Sequence, residues 1–180
     1  MTAPACRALG AACQLLWLAC GLLLAGPARA DELPEYRLKA AFVYNFLVYT
    51  EWPAATGSSL NLCILGKDPF GPEIDGLQGK VAAGRSIALQ RKSGAESLKG
   101  CQAVFVAASA QDSLPRVLDS LQGQAVLTLA DSPGALRKGV ALNMAVAQGK
   151  VQFEANLGAA RGAGLLLSSK LLRLATEVLQ

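Results

Sequence analysis

Histidine is absent from the 180 residues of this chain. Its absence excludes Ser-His-Asp and Cys-His catalysis, histidine acid–base chemistry and most zinc sites. The sequence also lacks a C-x-x-C redox pair, a P-loop and an EF-hand loop. Aromatic residues make up only 6% of the chain, and no basic run is interleaved with them, so nucleic-acid binding is not indicated. We therefore expect no catalytic residues, no metal, no cofactor and no enzymatic activity.

The first 30 residues have the features of a secretory signal peptide. Arg7 precedes an apolar run from about residue 15 to residue 25, and Ala28-Arg29-Ala30 is an A-x-A cleavage site. The apolar run is too short for a confident membrane span. A lipoprotein signal that uses Cys13 or Cys20 is the alternative.

Cleavage after Ala30 changes what the rest of the chain can do. The predicted mature chain, 31–180, is long enough for one domain with its own core. Its formal charge falls from +4 to +2, because Arg7 and Arg29 leave with the signal peptide. Only two of the five cysteines remain, Cys63 and Cys101. In an oxidising compartment we expect a disulfide between them, and two buried free thiols are the alternative.

The remaining pattern predicts a single layered α/β domain. Pro34 and Pro53 bound a long helix over Glu35–Trp52, and a second helix is predicted at the end, over Ser169–Leu179. Short apolar strands are predicted at Leu60–Leu65, Ser86–Arg91, Gln102–Ala107 and Ala125–Leu129, and a hairpin at Val140–Val146 and Val151–Ala155 around Gln148-Gly149. Such strands alternating with helices favour a mostly parallel central sheet, flanked by helices and closed by a C-terminal antiparallel hairpin. A disulfide would make the first and third strands neighbours.

One candidate ligand site follows from this architecture. In open α/β sheets, ligands lie beyond the carboxyl ends of the parallel strands. The loops that follow three of the predicted strands contain Asp68, Ser109 and Asp131. These residues form the candidate small-molecule site, although Gly, Pro and Asp are also ordinary turn residues.

The first helix is apolar enough to suggest a second kind of site. Leu38, Phe42, Phe46 and Tyr49 form one stripe along it. Tyr44, Tyr49 and Trp52 suit an interface with a protein partner, because each combines apolar area with a polar group. The alternative is that these aromatic residues pack on the sheet.

The last third of the chain carries polar and small residues without a catalytic pattern. Gly158, Gly162 and Gly164 fit neither a dinucleotide fingerprint nor a P-loop, and we expect them to serve close packing. Asn156 is interpreted as a cap or turn residue, and Glu154 with Arg161 as a possible local ion pair.

Several separated stretches resemble YfiR-family periplasmic proteins. They are KAAFVYNFLVYTEWP, LCILGKDPFG, CQAVFVA, VLTLADSPG and, above all, the pattern F-E-x-N-x-x-A-A-x-x-x-G-L-x-x-S-S-x-L-L-x-L-A from Phe153 to Ala175. The resemblance covers nearly the whole predicted mature chain.

The resemblance implies a non-enzymatic periplasmic regulator with an α/β fold and disulfide bonds, often a homodimer. It also implies repression of an inner-membrane diguanylate cyclase through the periplasmic sensor domain of the cyclase, as in the best-known member, which an outer-membrane lipoprotein can sequester. The output is cyclic-di-GMP signalling, and hence biofilm formation and motility. Cys63 and Cys101 match a disulfide pair of the family. A second pair found in some members is missing, since no cysteine follows Cys101. A periplasmic small-ligand-binding domain that serves another membrane signalling system is the alternative function.

Overall fold

The structure, a computed structural model, describes residues 32–180, so the predicted signal peptide lies outside the described part. Its helices are α1 Glu32–Val48, α2 Pro72–Asp75, α3 Leu114–Ser120, α4 Leu157–Gly162 and α5 Ser169–Leu172. Its strands are β1 Thr50–Glu51, β2 Ser59–Leu65, β3 Val81–Ala82, β4 Arg85–Lys92, β5 Ala103–Val106, β6 Leu127–Ala130, β7 Leu142–Ala147, β8 Lys150–Asn156, β9 Leu166–Leu167 and β10 Glu177–Leu179. The four apolar strands of the prediction thus appear within two residues of their expected ends.

Eight strands form the central sheet, in the order β10-β8-β7-β6-β5-β2-β4-β3. The strands from β7 to β4 are parallel, whereas β8 is antiparallel to β7 and β3 is antiparallel to β4. A separate two-stranded sheet joins β1 to β9. This arrangement confirms the predicted α/β class, with its mostly parallel sheet and C-terminal hairpin.

Both faces of the central sheet are buried around β5. Ala103 and Phe105 belong to the core that α1 covers, and Val104 and Val106 belong to the core that α3 covers. A strand buried on both faces needs apolar side chains at every position. This is why the sequence there is a continuous apolar run without alternation.

The disulfide joins two neighbouring strands, as the sequence predicts. Cys63 of β2 is bonded to Cys101, which lies just before β5, with the Cα atoms 6.0 Å apart. Strands β2 and β5 pair in parallel. The bond lies in the core beneath α3.

The hairpin is formed around the predicted turn. Gln148 and Gly149 both have positive φ, at 52° and 71°. Two central residues with positive φ give the turn whose twist matches a two-residue β-hairpin. Glycine adopts this conformation without a steric cost, which explains Gly149.

The first helix ends earlier than predicted. It stops at Val48, and Thr50 and Glu51 pair with Leu167 and Leu166 as a short strand. The Thr50 hydroxyl donates to the Phe46 carbonyl at 2.7 Å and so occupies an acceptor in the last turn of the helix. Pairing with β9 therefore overrides the apolar pattern that suggested a helix up to Trp52.

The predicted C-terminal helix over Ser169–Leu179 is wrong in its second half. Only α5 is helical, and β10 then pairs in parallel with β8. The backbone N–H of Thr176 donates to the Phe153 carbonyl at 2.9 Å, and its hydroxyl donates to the same oxygen. The open edge of β8 supplies main-chain partners that a helix would leave unused, and β-branched residues such as Val178 suit a strand.

Candidate functional site

A buried charge cluster fixes α1 to the end of β6. Lys39 Nζ lies 2.8 Å from Asp131 Oδ2 and 2.6 Å from Glu35 Oε1. The Tyr36 hydroxyl donates to Asp131 Oδ2 at 3.1 Å, and Lys39 Nζ lies 4.5 Å from the centre of the Tyr36 ring. The side chains of Lys39 and Asp131 are only 5% and 2% exposed. Asp131, predicted as a ligand residue, is therefore engaged by the first helix.

Burial and charge in this cluster change two acid–base equilibria. Burial raises the pKa of Tyr36 to about 12, and the negative charge of Asp131 acts in the same direction. Burial by itself would lower the pKa of Lys39. The hydrogen bonds from Lys39 to Asp131 and Glu35 outweigh burial, so its pKa is raised. Both groups thus remain protonated far above neutral pH.

Two buried oxygens beside this cluster have no hydrogen-bond partner within residues 32–180. They are Asp131 Oδ1 and Ser132 Oγ. Buried polar atoms without a partner are rare, and water or a bound molecule commonly satisfies them. The end of β6 therefore keeps hydrogen-bonding capacity that the protein itself does not use.

Asp68, the second predicted ligand residue, organises its own loop. Its Oδ1 accepts hydrogen bonds from the backbone N–H groups of Phe70 and Gly71, at 2.7 and 3.3 Å. Its Oδ2 accepts from Arg91 Nε at 2.8 Å, and Arg91 also reaches Asp75 at 2.7 Å. The hydrogen bond to Asp75 is the main reason that the pKa of Arg91 is raised. The guanidinium thus neutralises two of the acidic residues in this loop.

Ser109, the third predicted ligand residue, joins two strand-end loops. Its Oγ accepts from the backbone N–H of Lys67 at 2.8 Å. A side chain on Gly66 would place a Cβ 2.7 Å from this oxygen, and Gly66 has a φ of +94°. Glycine is therefore required at the end of β2, where the loop after β5 packs against it.

The structure assigns different environments to the three aromatic residues predicted to bind a partner. Trp52 is buried at 7% exposure, and its Nε1 donates to the Gln102 carbonyl at 3.2 Å. Tyr44 is partly buried and donates to the carbonyl of Val81 in β3 at 3.0 Å. Tyr49 is 37% exposed. Of the three, Tyr49 presents the most accessible side chain.

The sequence pattern places Leu38 and Phe46 in one stripe, but in the structure Leu38 lies on the exposed side of α1. Leu38 is 46% exposed, and Ala41 and Asn45 follow it at helical spacing towards Tyr49. We call these four residues the α1 outer face, although Tyr49 lies one residue beyond the end of the helix. Buried residues such as Val43, Phe46 and Leu47 lie on the opposite side, where Phe46 packs against Phe153 with ring centres 5.0 Å apart. Asn45 is a polar residue in an otherwise apolar segment, and this feature of the sequence could have identified the exposed face of the helix.

Within residues 32–180 no group of three or more Cys, Asp or Glu side chains is placed to hold a metal ion. Nor does any helix in that range combine the length and apolar character needed to cross a bilayer.

Fold and site together define a small disulfide-bonded α/β domain. The chain belongs to the YfiR/HmsC-like family, whose family model matches residues 36–176. This membership supports a role as a periplasmic regulator of cyclic-di-GMP signalling in general. No curated protein sequence matches the chain significantly.

Two solved structures share the fold at 9% sequence identity. One is a conserved domain protein from Vibrio cholerae O1 biovar eltor, with a TM-score of 0.50, and the match covers 79% of this chain and 60% of that one. The other is the ABC domain in complex with L-Trp from Streptococcus pneumonia, with a TM-score of 0.52 and coverage of 80% and 62%. The chain thus spans about 60% of the length of these proteins. At this identity the likeness concerns the fold alone.

Proposed function

We propose that this protein binds the periplasmic sensor domain of an inner-membrane diguanylate cyclase and represses the cyclase. The observation that carries the proposal is the family match over residues 36–176. At the strand ends, Asp68, Ser109 and Asp131 each form hydrogen bonds with neighbouring protein groups. Regulation by contact needs a rigid surface, not a catalytic group.

The α1 outer face is the contact surface in this proposal. It presents Leu38 and Tyr49 to solvent on a helix that is fixed near both ends. The Lys39–Asp131 ion pair holds the first half of the helix, and the bond from Trp52 to Gln102 holds the segment that follows it. A surface that is ordered before binding loses little conformational entropy in the complex. Trp52 supports this surface from the core, and Tyr44 borders it.

Paired substitutions test this surface. Leu38→Asp and Tyr49→Asp should abolish co-purification of the membrane cyclase, because burial of an unpaired charge in an apolar contact costs free energy. Loss of the contact should relieve repression and so raise cellular cyclic-di-GMP. Val146→Asp is the matched control, since Val146 is 47% exposed on the hairpin. Thermal unfolding of all three variants verifies folding. Full repression and cyclase binding by folded Leu38→Asp and Tyr49→Asp proteins would refute the outer face as the contact.

The same proposal includes a homodimer and sequestration by an outer-membrane lipoprotein, both implied by the family resemblance. Sedimentation of the purified protein over a range of concentrations measures the dimer. A lipoprotein that relieves repression should compete with the cyclase sensor domain for the protein. Simultaneous binding of both would exclude a competitive mechanism.

A small-ligand-binding domain that serves another membrane signalling system is the second candidate. Asp131 Oδ1 and Ser132 Oγ favour it, since both are buried without a partner. A ligand at Asp68, Ser109 and Asp131 should raise the melting temperature in proportion to its affinity and concentration. L-Trp, named for the Streptococcus structure, is a first probe. A melting temperature that L-Trp leaves unchanged argues against this amino acid as the ligand.

A further inference from the structure

A groove of about 600 Å³ separates α3 from α4 above the start of β6. This volume lies within the range of sites for small organic molecules. Pro115, Leu118 and Leu121 line one side, and Gly158, Ala159, Gly162 and Ala163 line the other. None of Asp68, Ser109 and Asp131 lines it, so the groove is distinct from the strand-end site.

The small residues of α4 do not all serve the close packing expected from the sequence. A Cβ on Gly158 would lie 3.3 Å from the backbone oxygen of Gln180, so packing explains that glycine. A Cβ on Gly162 would meet nothing within 4 Å, and the backbone there is helical. Neither contact nor backbone conformation requires glycine at position 162. Its effect is to leave the groove open.

The floor of the groove contains a buried polar group with unused capacity. Thr128 is 7% exposed, and its hydroxyl oxygen accepts from the backbone N–H of Ala141 at 2.9 Å. The structure shows no hydrogen bond that this hydroxyl donates within residues 32–180. Val126 beside it is apolar and buried. A ligand with a hydrogen-bond acceptor would bind the hydroxyl of Thr128, and an apolar part of the same ligand would pack on Val126.

Cations outnumber acidic residues among the residues that line the groove and their neighbours in the chain. Lys138 lines the groove, and the exposed Arg116 and Arg161 are chain neighbours of the lining residues Pro115 and Gly162. These three cations form no ion pair within the described part of the chain. Asp119 is the one acidic residue that lines the groove. The field over the groove therefore favours an anion.

We propose that the groove between α3 and α4 binds a small anionic amphiphile, with its apolar body on Val126, Leu118 and the small face of α4. Its carboxylate or comparable acidic group lies at Lys138. The role goes beyond repression of a cyclase, because it gives the protein a small-molecule input separate from the α1 outer face.

Anilinonaphthalene sulfonate, an anionic aromatic dye whose fluorescence rises in apolar sites, is the probe. Phenylnaphthylamine has the same kind of aromatic body without the charge. The disulfide-bonded protein should bind one sulfonate dye per chain, saturably. Gly162→Leu should weaken binding at least about tenfold, because its side chain fills the groove. Lys138→Gln should weaken the sulfonate dye about twofold to fivefold and leave the neutral dye unchanged.

Gly76→Leu is the matched control, since Gly76 also has a helical backbone and a Cβ there makes only an ordinary contact. It should bind the dye like the unchanged protein. Unaltered dye binding by folded Gly162→Leu overturns the proposal, as does non-saturable binding to the unchanged protein. If Gly162→Leu does not fold, Lys138→Gln decides, because equal weakening of both dyes, or of neither, contradicts the role of Lys138. Loss of cyclase binding in Gly162→Leu without any dye binding would instead identify the groove as a protein contact.

Discussion

Lys39 of α1 and Asp131 at the end of β6 form an ion pair at 2.8 Å, although the two residues are 92 positions apart. Both side chains are almost fully buried. A buried ion pair is a weak source of net stability, but the loss of one partner leaves the other charge buried alone. The pair therefore specifies where α1 lies on the sheet.

The first prediction concerns removal of one charge of this pair. Lys39→Met should lower the free energy of unfolding by about 3–5 kcal/mol, because Asp131 then remains buried without its cation. Lys39→Met combined with Asp131→Leu should recover part of that loss. Urea unfolding measures both. Arg37→Gln, which breaks the exposed bond to Glu73, is the control and should not move the midpoint. A Lys39→Met midpoint equal to that of the control would contradict the interpretation.

The second prediction is a loss of stability in alkali. The pKa of Tyr36 is raised from 10.0 to about 12, and the pKa of Lys39 is also raised. A group whose pKa is higher in the folded state stabilises the fold below its unfolded pKa, and this contribution disappears as the pH passes the folded value. Stability should therefore fall between about pH 10 and pH 12. Tyr36→Phe should flatten part of this decline.

Melting temperatures between pH 9 and pH 12 measure this effect. Tyr49→Phe is the control, since Tyr49 lies at the surface and outside the cluster. Identical profiles for Tyr36→Phe and the unchanged protein would show that the cluster does not control alkaline stability.

The third prediction concerns the disulfide. Cys63 and Cys101 are 38 positions apart, and closure of a loop of that length contributes about 4 kcal/mol in the chain-entropy model. Reduction should lower the free energy of unfolding by about that amount. The protein with both Cys63→Ala and Cys101→Ala should show a similar loss and no further response to reductant. Stability that reductant leaves unchanged in the disulfide-bonded protein would contradict this expectation.

The sequence predicted those elements whose structure depends on the residue types within the element itself. The strand at residues 103–106 is apolar at every position because both of its faces are buried, and the sequence shows this directly. The turn at Gln148-Gly149 was predictable for a similar reason, since glycine suits its positive φ.

Tertiary contacts decided what local sequence did not. Trp52 is predicted as an interface residue, and in the structure its side chain is 7% exposed and donates to the carbonyl of Gln102. Asp131 was predicted at a strand end, but its partner Lys39 lies 92 positions away. Leu38 and Phe46 shared one predicted stripe, whereas in the structure one is exposed and the other buried. Which face of an apolar helix meets the sheet depends on pairings that a periodicity does not contain.

The fourth prediction separates the observed C-terminus from the predicted helix. In a helix over Ser169–Leu179, Leu171, Leu174 and Val178 would share one face and would be buried alike. In the structure Leu171 is 2% exposed and Leu174 is 71% exposed, because the chain turns before it pairs with β8. Leu171→Ala should therefore cost about 2–5 kcal/mol, whereas Leu174→Ala should change the free energy of unfolding by less than about 0.5 kcal/mol. Urea unfolding of the two variants measures the difference. Similarly large losses of stability in both variants would instead support a continuous helix over residues 169–179. The unequal losses are expected because the chain leaves the helix and pairs as a strand at residues 177–179.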